Sequence, residues 1–165
     1  MQTINYEVRL HSPQAHLFEV RCTIPTPDPT GQVVSMPAWI PGSYLIRDFA
    51  RQVVALTASS DGKAVAVEKI DKHSWRCASC TTPLTLCYSV YAFDLSVRSA
   101  YLDTTRAYFN GTSLFLCVQG QEQSACGVTL HQPDKPYREW QVATAMPPEK
   151  TDKQGFGRYR ANSYA

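Results

Sequence analysis

Four histidines (His11, His16, His73, His131) and six cysteines (Cys22, Cys77, Cys80, Cys87, Cys117, Cys126) are the side chains here best suited to hold a metal or attack a carbonyl. A zinc hydrolase needs two histidines one helical turn apart with a glutamate between them, so that both imidazoles face one ion and the carboxylate reaches its water. The chain has no His-Glu-x-x-His, no Gly-x-Ser-x-Gly elbow, no phosphate-cradling glycine-rich loop and no calcium loop. Cys77-Ala-Ser-Cys80 has metal-ligand or redox spacing, and Cys87 or His73 could complete a structural zinc site, but a second closely spaced cysteine pair is missing. A thioredoxin-like role requires the pair to open a helix in an α/β fold, whereas this pair ends a strand pattern. We therefore read the cysteines as reduced, mostly buried thiols, and expect neither a catalytic residue nor a bound metal in this chain.

The remaining chemistry lies on loops. The stretch from Ser35 to Phe49 puts Tyr44, Arg47 and Asp48 on an otherwise apolar run, just after the break Pro41-Gly42-Ser43. Proline lacks the ladder donor and glycine accepts positive φ, so a rigid apolar approach through Trp39 ends there in a turn. Its polar tips either pair locally or face a site, and a turn with free backbone groups and a tyrosine hydroxyl suits a peptide's amine or first carbonyl. A second stretch runs from Tyr91 to Asp103 and on through Ala107-Tyr-Phe-Asn-Gly-Thr-Ser113. Asp94, Arg98 and Asp103 are expected to form an ion-pair cluster and Asn110-Gly111 a turn. Tyr101, Tyr108, Phe109 and Asn110 would then be a platform for a ligand or another domain. A loop whose polar groups satisfy one another accounts for the same residues.

The elements that must position these loops are strands. Tyr6, Val8 and Leu10 alternate with Glu7, Arg9 and His11, and Phe18, Val20, Cys22 and Ile24 alternate with Glu19, Arg21 and Thr23, which predicts two half-buried antiparallel neighbours. Pro25 to Gly31 is a loop. Val53–Thr57 and Ala64–Ile70 flank Asp61-Gly62, a hairpin signal. Further strands are expected around Trp75, from Leu84 to Ala92, and over Leu114–Val118, Val128–His131, Trp140–Thr144 and Arg158–Arg160. Helical turns are expected only near Leu45–Gln52 or Thr104–Tyr108, and a polar loop over Glu149–Lys153. Turn signals every ~8–12 residues imply an all-β fold, an antiparallel sandwich or saddle-like sheet of roughly nine to eleven strands with long loops.

The chain is long enough for one domain with a real core, and 44% hydrophobic and 18% charged residues place it among globular proteins. A net charge of +2 with scattered basic residues lacks the footprint of nucleic-acid binding. No apolar run approaches the ~18 residues of a membrane span, and Glu7, Arg9 and His11 interrupt the place of a secretory h-region. The expectation is a cytoplasmic protein with no membrane or nucleic-acid partner.

Met36-Pro-Ala-Trp-Ile-Pro-Gly-Ser-Tyr-Leu-Ile-Arg-Asp-Phe-Ala50, Tyr91 to Asp103 and Phe109-Asn-Gly-Thr-Ser-Leu-Phe115 together resemble the N-terminal domain of the glycyl aminopeptidase family. These are zinc metallopeptidases with a thermolysin-like catalytic domain, often followed by a PDZ domain. Trp140 to Pro147 and Tyr159 to Tyr164 resemble that family's last strand and domain junction, so the likeness spans residues 1–165 as a single N-terminal β domain. The resemblance implies a larger parent whose zinc helix lies in the next domain. No position here matches the zinc ligands or the catalytic glutamate, so none is carried over.

The function this implies is that of a noncatalytic domain packed on a metallopeptidase domain and shaping its substrate cleft. Its partners would be its own C-terminal catalytic domain, which carries the zinc, and a peptide substrate with a free N-terminus. Trp39, Gly42, Ser43, Tyr44, Arg47, Asp48, Tyr101, Asn110 and Gly111 are the residues expected at the cleft or the interdomain surface. Composition alone also allows a free-standing β-sandwich module that binds carbohydrate or protein.

Overall fold

The computed structural model describes residues 2–164; Met1 and Ala165, the latter at the expected domain junction, lie outside the described residues. The strands are β1 (Ile4–Ser12), β2 (Leu17–Ile24), β3 (Val33–Ser35), β4 (Val53–Ser60), β5 (Lys63–Val65), β6 (Val67–Lys69), β7 (Ser74–Cys77), β8 (Leu84–Tyr91), β9 (Ala100–Leu102), β10 (Ala107–Phe109), β11 (Cys117–Val118), β12 (Cys126–Leu130), β13 (Pro148–Thr151) and β14 (Gly157–Ala161). An eight-stranded sheet runs in the order β13-β14-β12-β1-β2-β8-β4-β5, a four-stranded sheet in the order β11-β3-β7-β6, and β9-β10 form a separate hairpin. The fold is all-β, with short 3-10 turns as its helical content among the described residues. Among the described residues no helix is long and apolar enough to cross a membrane.

Period-two alternation accounts for the long central strands. Ile4, Tyr6 and Val8 of β1, Phe18, Val20, Cys22 and Ile24 of β2, and Leu84, Leu86, Tyr88 and Val90 of β8 all turn to one face and are buried. They meet Val34, Trp75, Cys77 and Val118 of the small sheet and the segment Leu114–Leu116 in one core. β1 and β2 pair antiparallel as expected, with Val8 opposite Val20, while β1 also pairs parallel with β12. That parallel pairing is a long-range crossover which the alternation does not signal.

Several expectations about individual elements need correction. The described residues form fourteen strands where roughly nine to eleven were expected, because pieces such as β11, of two residues, are too short to show a period. The run Ala64–Ile70 is split: β5 stays with β4 in the large sheet, whereas β6 pairs with β7 in the small one. Ala66 sits at the break, its carbonyl taken by the Ala78 N–H at 2.8 Å. Trp140–Thr144 alternates in burial but has no ladder partner among the described residues, and its Val142 N–H reaches the Gln154 carbonyl, at 2.8 Å. Of the polar segment Glu149–Lys153 read as a loop, Glu149–Thr151 belong to the edge strand β13, exposed at all four residues and paired with β14, while Asp152 and Lys153 lead into a turn. An edge strand needs no buried face, so its polar composition hid it. The helical turn expected before Gln52 is a 3-10 turn over Phe49–Gln52, and Thr104–Tyr108 leads straight into β10.

Candidate functional site

The loop between β3 and the Phe49 turn closes on itself. Ala38 carbonyl accepts from the backbone N–H groups of Arg47 and Asp48, at 2.7 and 3.3 Å. Inside this ring Ser43 N–H donates to Ile40 carbonyl at 3.1 Å, and Gly42 has φ +82°, so Ile40-Pro41-Gly42-Ser43 is a type II turn with its glycine where that geometry demands one. Ser43 is buried and serves as the hub. Its hydroxyl donates to Leu45 carbonyl (2.9 Å) and accepts from Leu45 N–H and Arg47 Nε (both 3.2 Å), while its own carbonyl accepts from Trp39 Nε1 at 2.8 Å. Arg47 and Ser43 are thus consumed in holding the loop. What the loop presents outward is Tyr44, Leu45 and Ile46, with relative exposures of 103%, 63% and 66%. Asp48, in the left-handed region at φ +47°, places its carboxylate 3.6 Å from Lys72 Nζ and 3.7 Å from His73 Nε2.

The second stretch joins the first through Arg98, whose guanidinium donates to Gly42 carbonyl at 3.1 Å. The next residue, Ser99, accepts from Asn110 N–H at 3.0 Å. Gly42, Arg98 and Asn110 therefore share one end of the molecule. Asn110 caps the 3-10 turn Gly111–Ser113, its Oδ1 accepting from Thr112 N–H and hydroxyl, so the expected turn is present but is opened by a side-chain cap and without a positive φ. A Cβ on Gly111 would lie 3.4 Å from the Phe115 ring, an ordinary contact. The expected Asp94-Arg98-Asp103 cluster does not form among the described residues. Arg98 goes to Gly42, and Asp103 accepts from the backbone of Thr105 and Arg106 and from the Thr105 and Tyr101 hydroxyls. Tyr101 stacks on Phe93, with ring centroids 5.3 Å apart, near the Asp103 end of the hairpin. The residues the sequence reading missed are the exposed Leu45, Ile46, Leu95 and Val97. Their signal was apolar residues in loops without a period-two partner.

The bonds from Thr105, first its hydroxyl and then its backbone N–H, with those from Tyr101 and the Arg106 backbone, hold the Asp103 carboxyl well below the usual carboxylate range. A depressed folded value means the turn's support is complete above the unfolded carboxylate value of ~3.9 and is lost as pH falls through the folded one. The Arg106 amide resonance should accordingly stay fixed down to pH ~4 and move only in stronger acid. A midpoint at the ordinary aspartate value would show that the turn does not hold this carboxylate.

All six cysteines are free thiols. Burial pushes Cys77 up to about 11, with a smaller contribution from Cys80, and burial also raises Cys117 to about 11. Among the described residues no three histidine, cysteine, aspartate or glutamate side chains stand together as metal ligands.

A cleft of about 430 Å³ opens beside this region. Its floor is the inner face of the large sheet at Val8, Leu10, Phe18, Val128 and Leu130, and its walls are Thr105–Phe109 on one side and Trp140–Thr144 on the other.

Residues 5–165 match the family model described as the peptidase M61 N-terminal domain. The chain belongs to that family. The M61 N-terminal domain described here also matches a crystal structure of an aminopeptidase N family protein from Idiomarina loihiensis, with a TM-score of 0.94 and 42% identity over 98% of this chain. It spans 27% of that protein's length. Among curated proteins nothing matches.

Proposed function

We propose that this M61 N-terminal domain is the noncatalytic domain of a zinc metalloaminopeptidase, and that it docks on the catalytic domain and shapes the cleft for peptides with a free N-terminus. The observation that carries this reading is the crest Tyr44-Leu45-Ile46, three consecutive exposed side chains of which two are aliphatic, held rigid from below by Ser43. A rigid exposed apolar crest is the signature of a protein interface. Family membership supports the partner we propose, a catalytic domain of the same polypeptide that would hold the zinc and could be followed by a PDZ domain. Among the nine residues named from the sequence, Trp39, Gly42, Ser43 and Arg47 build the crest, Tyr44 is part of it, and Asp48, Asn110 and Gly111 frame its base. Tyr101 lies off it and supports the neighbouring hairpin. Six free thiols favour a cytoplasmic parent.

In the parent enzyme Ser43→Ala removes the hub while leaving the exposed surface chemistry intact. Peptide hydrolysis should show KM raised about fivefold, the equivalent of ~1 kcal/mol for a lost hydrogen-bond hub. Tyr44→Phe, whose side chain is fully exposed, tests direct hydroxyl contact without risk to folding. If both variants keep wild-type kinetics and wild-type stability, the cleft-shaping reading is wrong.

A further inference from the structure

We infer that the cleft beside the β9–β10 hairpin is a second peptide-binding site, an exosite that takes an extended, alternately apolar peptide segment as an added β-strand. The inference rests on the peptide-handling role proposed above, but on different residues. Among the described residues β10 pairs only with β9. In that ladder Asp103 and Ser99 bond across to Arg106 and Asn110, whereas Leu102 N–H and Ala100 carbonyl turn away to Ala92 and Asp94. Alternation then directs the N–H and C=O groups of Ala107 and Phe109, which face Leu102 and Ala100, away from β9. None of these four groups has a partner among the described residues. The cleft lies on that side, since Thr105–Phe109 line it and no β9 residue does.

The opposite wall carries a matching edge. Val142 N–H points to Gln154, so in this extended segment the backbone groups of Gln141 and Ala143 point the other way, also without partners among the described residues. Two unpaired edges, each repeating every second residue, thus flank a floor of aliphatic and aromatic side chains. That is the arrangement used in β-strand addition, where main-chain bonds supply affinity and alternate side chains enter apolar pockets. A volume of about 430 Å³ suits a few residues of chain. Among the described residues no carboxylate lines the cleft; of its two basic side chains His131 is held by Glu7 at 2.7 Å, while Arg106 makes no ion pair and its guanidinium carbon lies 5.8 Å from the Tyr101 ring centroid. The preferred segment therefore carries an acidic residue or a C-terminal carboxylate at the Arg106 end.

The test is fluorescence anisotropy with a labelled peptide that alternates valine and threonine and ends in aspartate. It should bind this chain saturably, weaken roughly tenfold when its alternate amides are N-methylated, and weaken similarly on Ala107→Pro. Proline at that position removes an outward N–H and no ladder bond, and the N-methylated peptide gives the same answer with an unaltered protein. Arg106→Gln should erase the preference for aspartate over its amide. The inference is overturned if the methylated peptide binds equally well, or if no saturable binding occurs. It is also overturned if the parent enzyme fails to bind while this chain succeeds, because its own polypeptide then fills the cleft. None of these results bears on the Ser43→Ala kinetics, so failure of the exosite and failure of the cleft-shaping reading are told apart.

Discussion

Replacing Tyr88 by phenylalanine should destabilise the domain by about 2–4 kcal/mol, although it removes a single oxygen. The ring is in the core, and its hydroxyl donates to Leu114 carbonyl at 2.9 Å and accepts from Leu116 N–H at 3.2 Å. Burial pushes this phenol well above its ordinary value, so it stays a neutral donor across the working pH range. Leu114–Leu116 is irregular backbone inside the core, where water cannot replace a lost partner, and phenylalanine would strand both groups. Tyr6 makes the parallel bond to Leu116 carbonyl at 2.7 Å. The two tyrosines therefore anchor the segment that follows the Asn110–Ser113 turn, and so anchor one end of the candidate site. Denaturant unfolding should show the loss at unchanged m-value, with a fall of roughly 5–15 °C in Tm. Tyr108→Phe is the control: its hydroxyl also reaches a carbonyl, that of Val97, but at the surface, and it should cost no more than about 0.5 kcal/mol. Equal effects of the two substitutions would refute the argument from burial.

Gly157→Ala should cost a comparable ~2–4 kcal/mol by a different route. Gly157 has φ +134°, where a side chain is strained, and a Cβ there would stand 2.2 Å from Lys150 carbonyl oxygen and 2.9 Å from Thr151 Cα. Both obstacles are backbone and cannot rotate aside. The strand that must yield is β13, which among the described residues pairs only with β14 and buries none of its residues. The expected result is detachment of β13 with the rest of the sheet intact. Hydrogen exchange should show protection lost at Lys150 and Asp152, whose N–H groups face β14, and kept at Val20 and Leu86 in the central strands. Wild-type protection at β13 would mean the edge can absorb the methyl group. Phe156 and Tyr159 line the peptide cleft on either side of this glycine, so the same variant is expected to weaken the exosite.

The crest shows how far residue types alone could lead. Ser43, Tyr44 and Arg47 were legible as unusual because polar tips followed a proline-glycine break. Their roles were not, since a hydroxyl that bonds inward and one that points outward are identical in sequence. The chain uses Ser43 and Arg47 to hold the loop and exposes Leu45 and Ile46, the reverse of what hydropathy suggests. Arg98 illustrates the same limit: its spacing from Asp94 and Asp103 suggested ion pairs, yet its partner is the carbonyl of Gly42, 56 positions away.

The sequence by itself determined the β class and the central strands β1, β2 and β8, because a sheet with one buried face writes its period directly into residue order. It also carried the three motifs by which the family is recognised, and it lacked any zinc helix. Tertiary structure alone decided which strands share a sheet, including the parallel β1–β12 pairing and the split of β5 from β6. It alone brought the Gly42 turn to Arg98 and set two unpaired edges across one apolar floor. The physical reason is that periodicity records the burial of each residue, whereas partnership between distant backbone groups depends on how the chain returns, which no local pattern encodes.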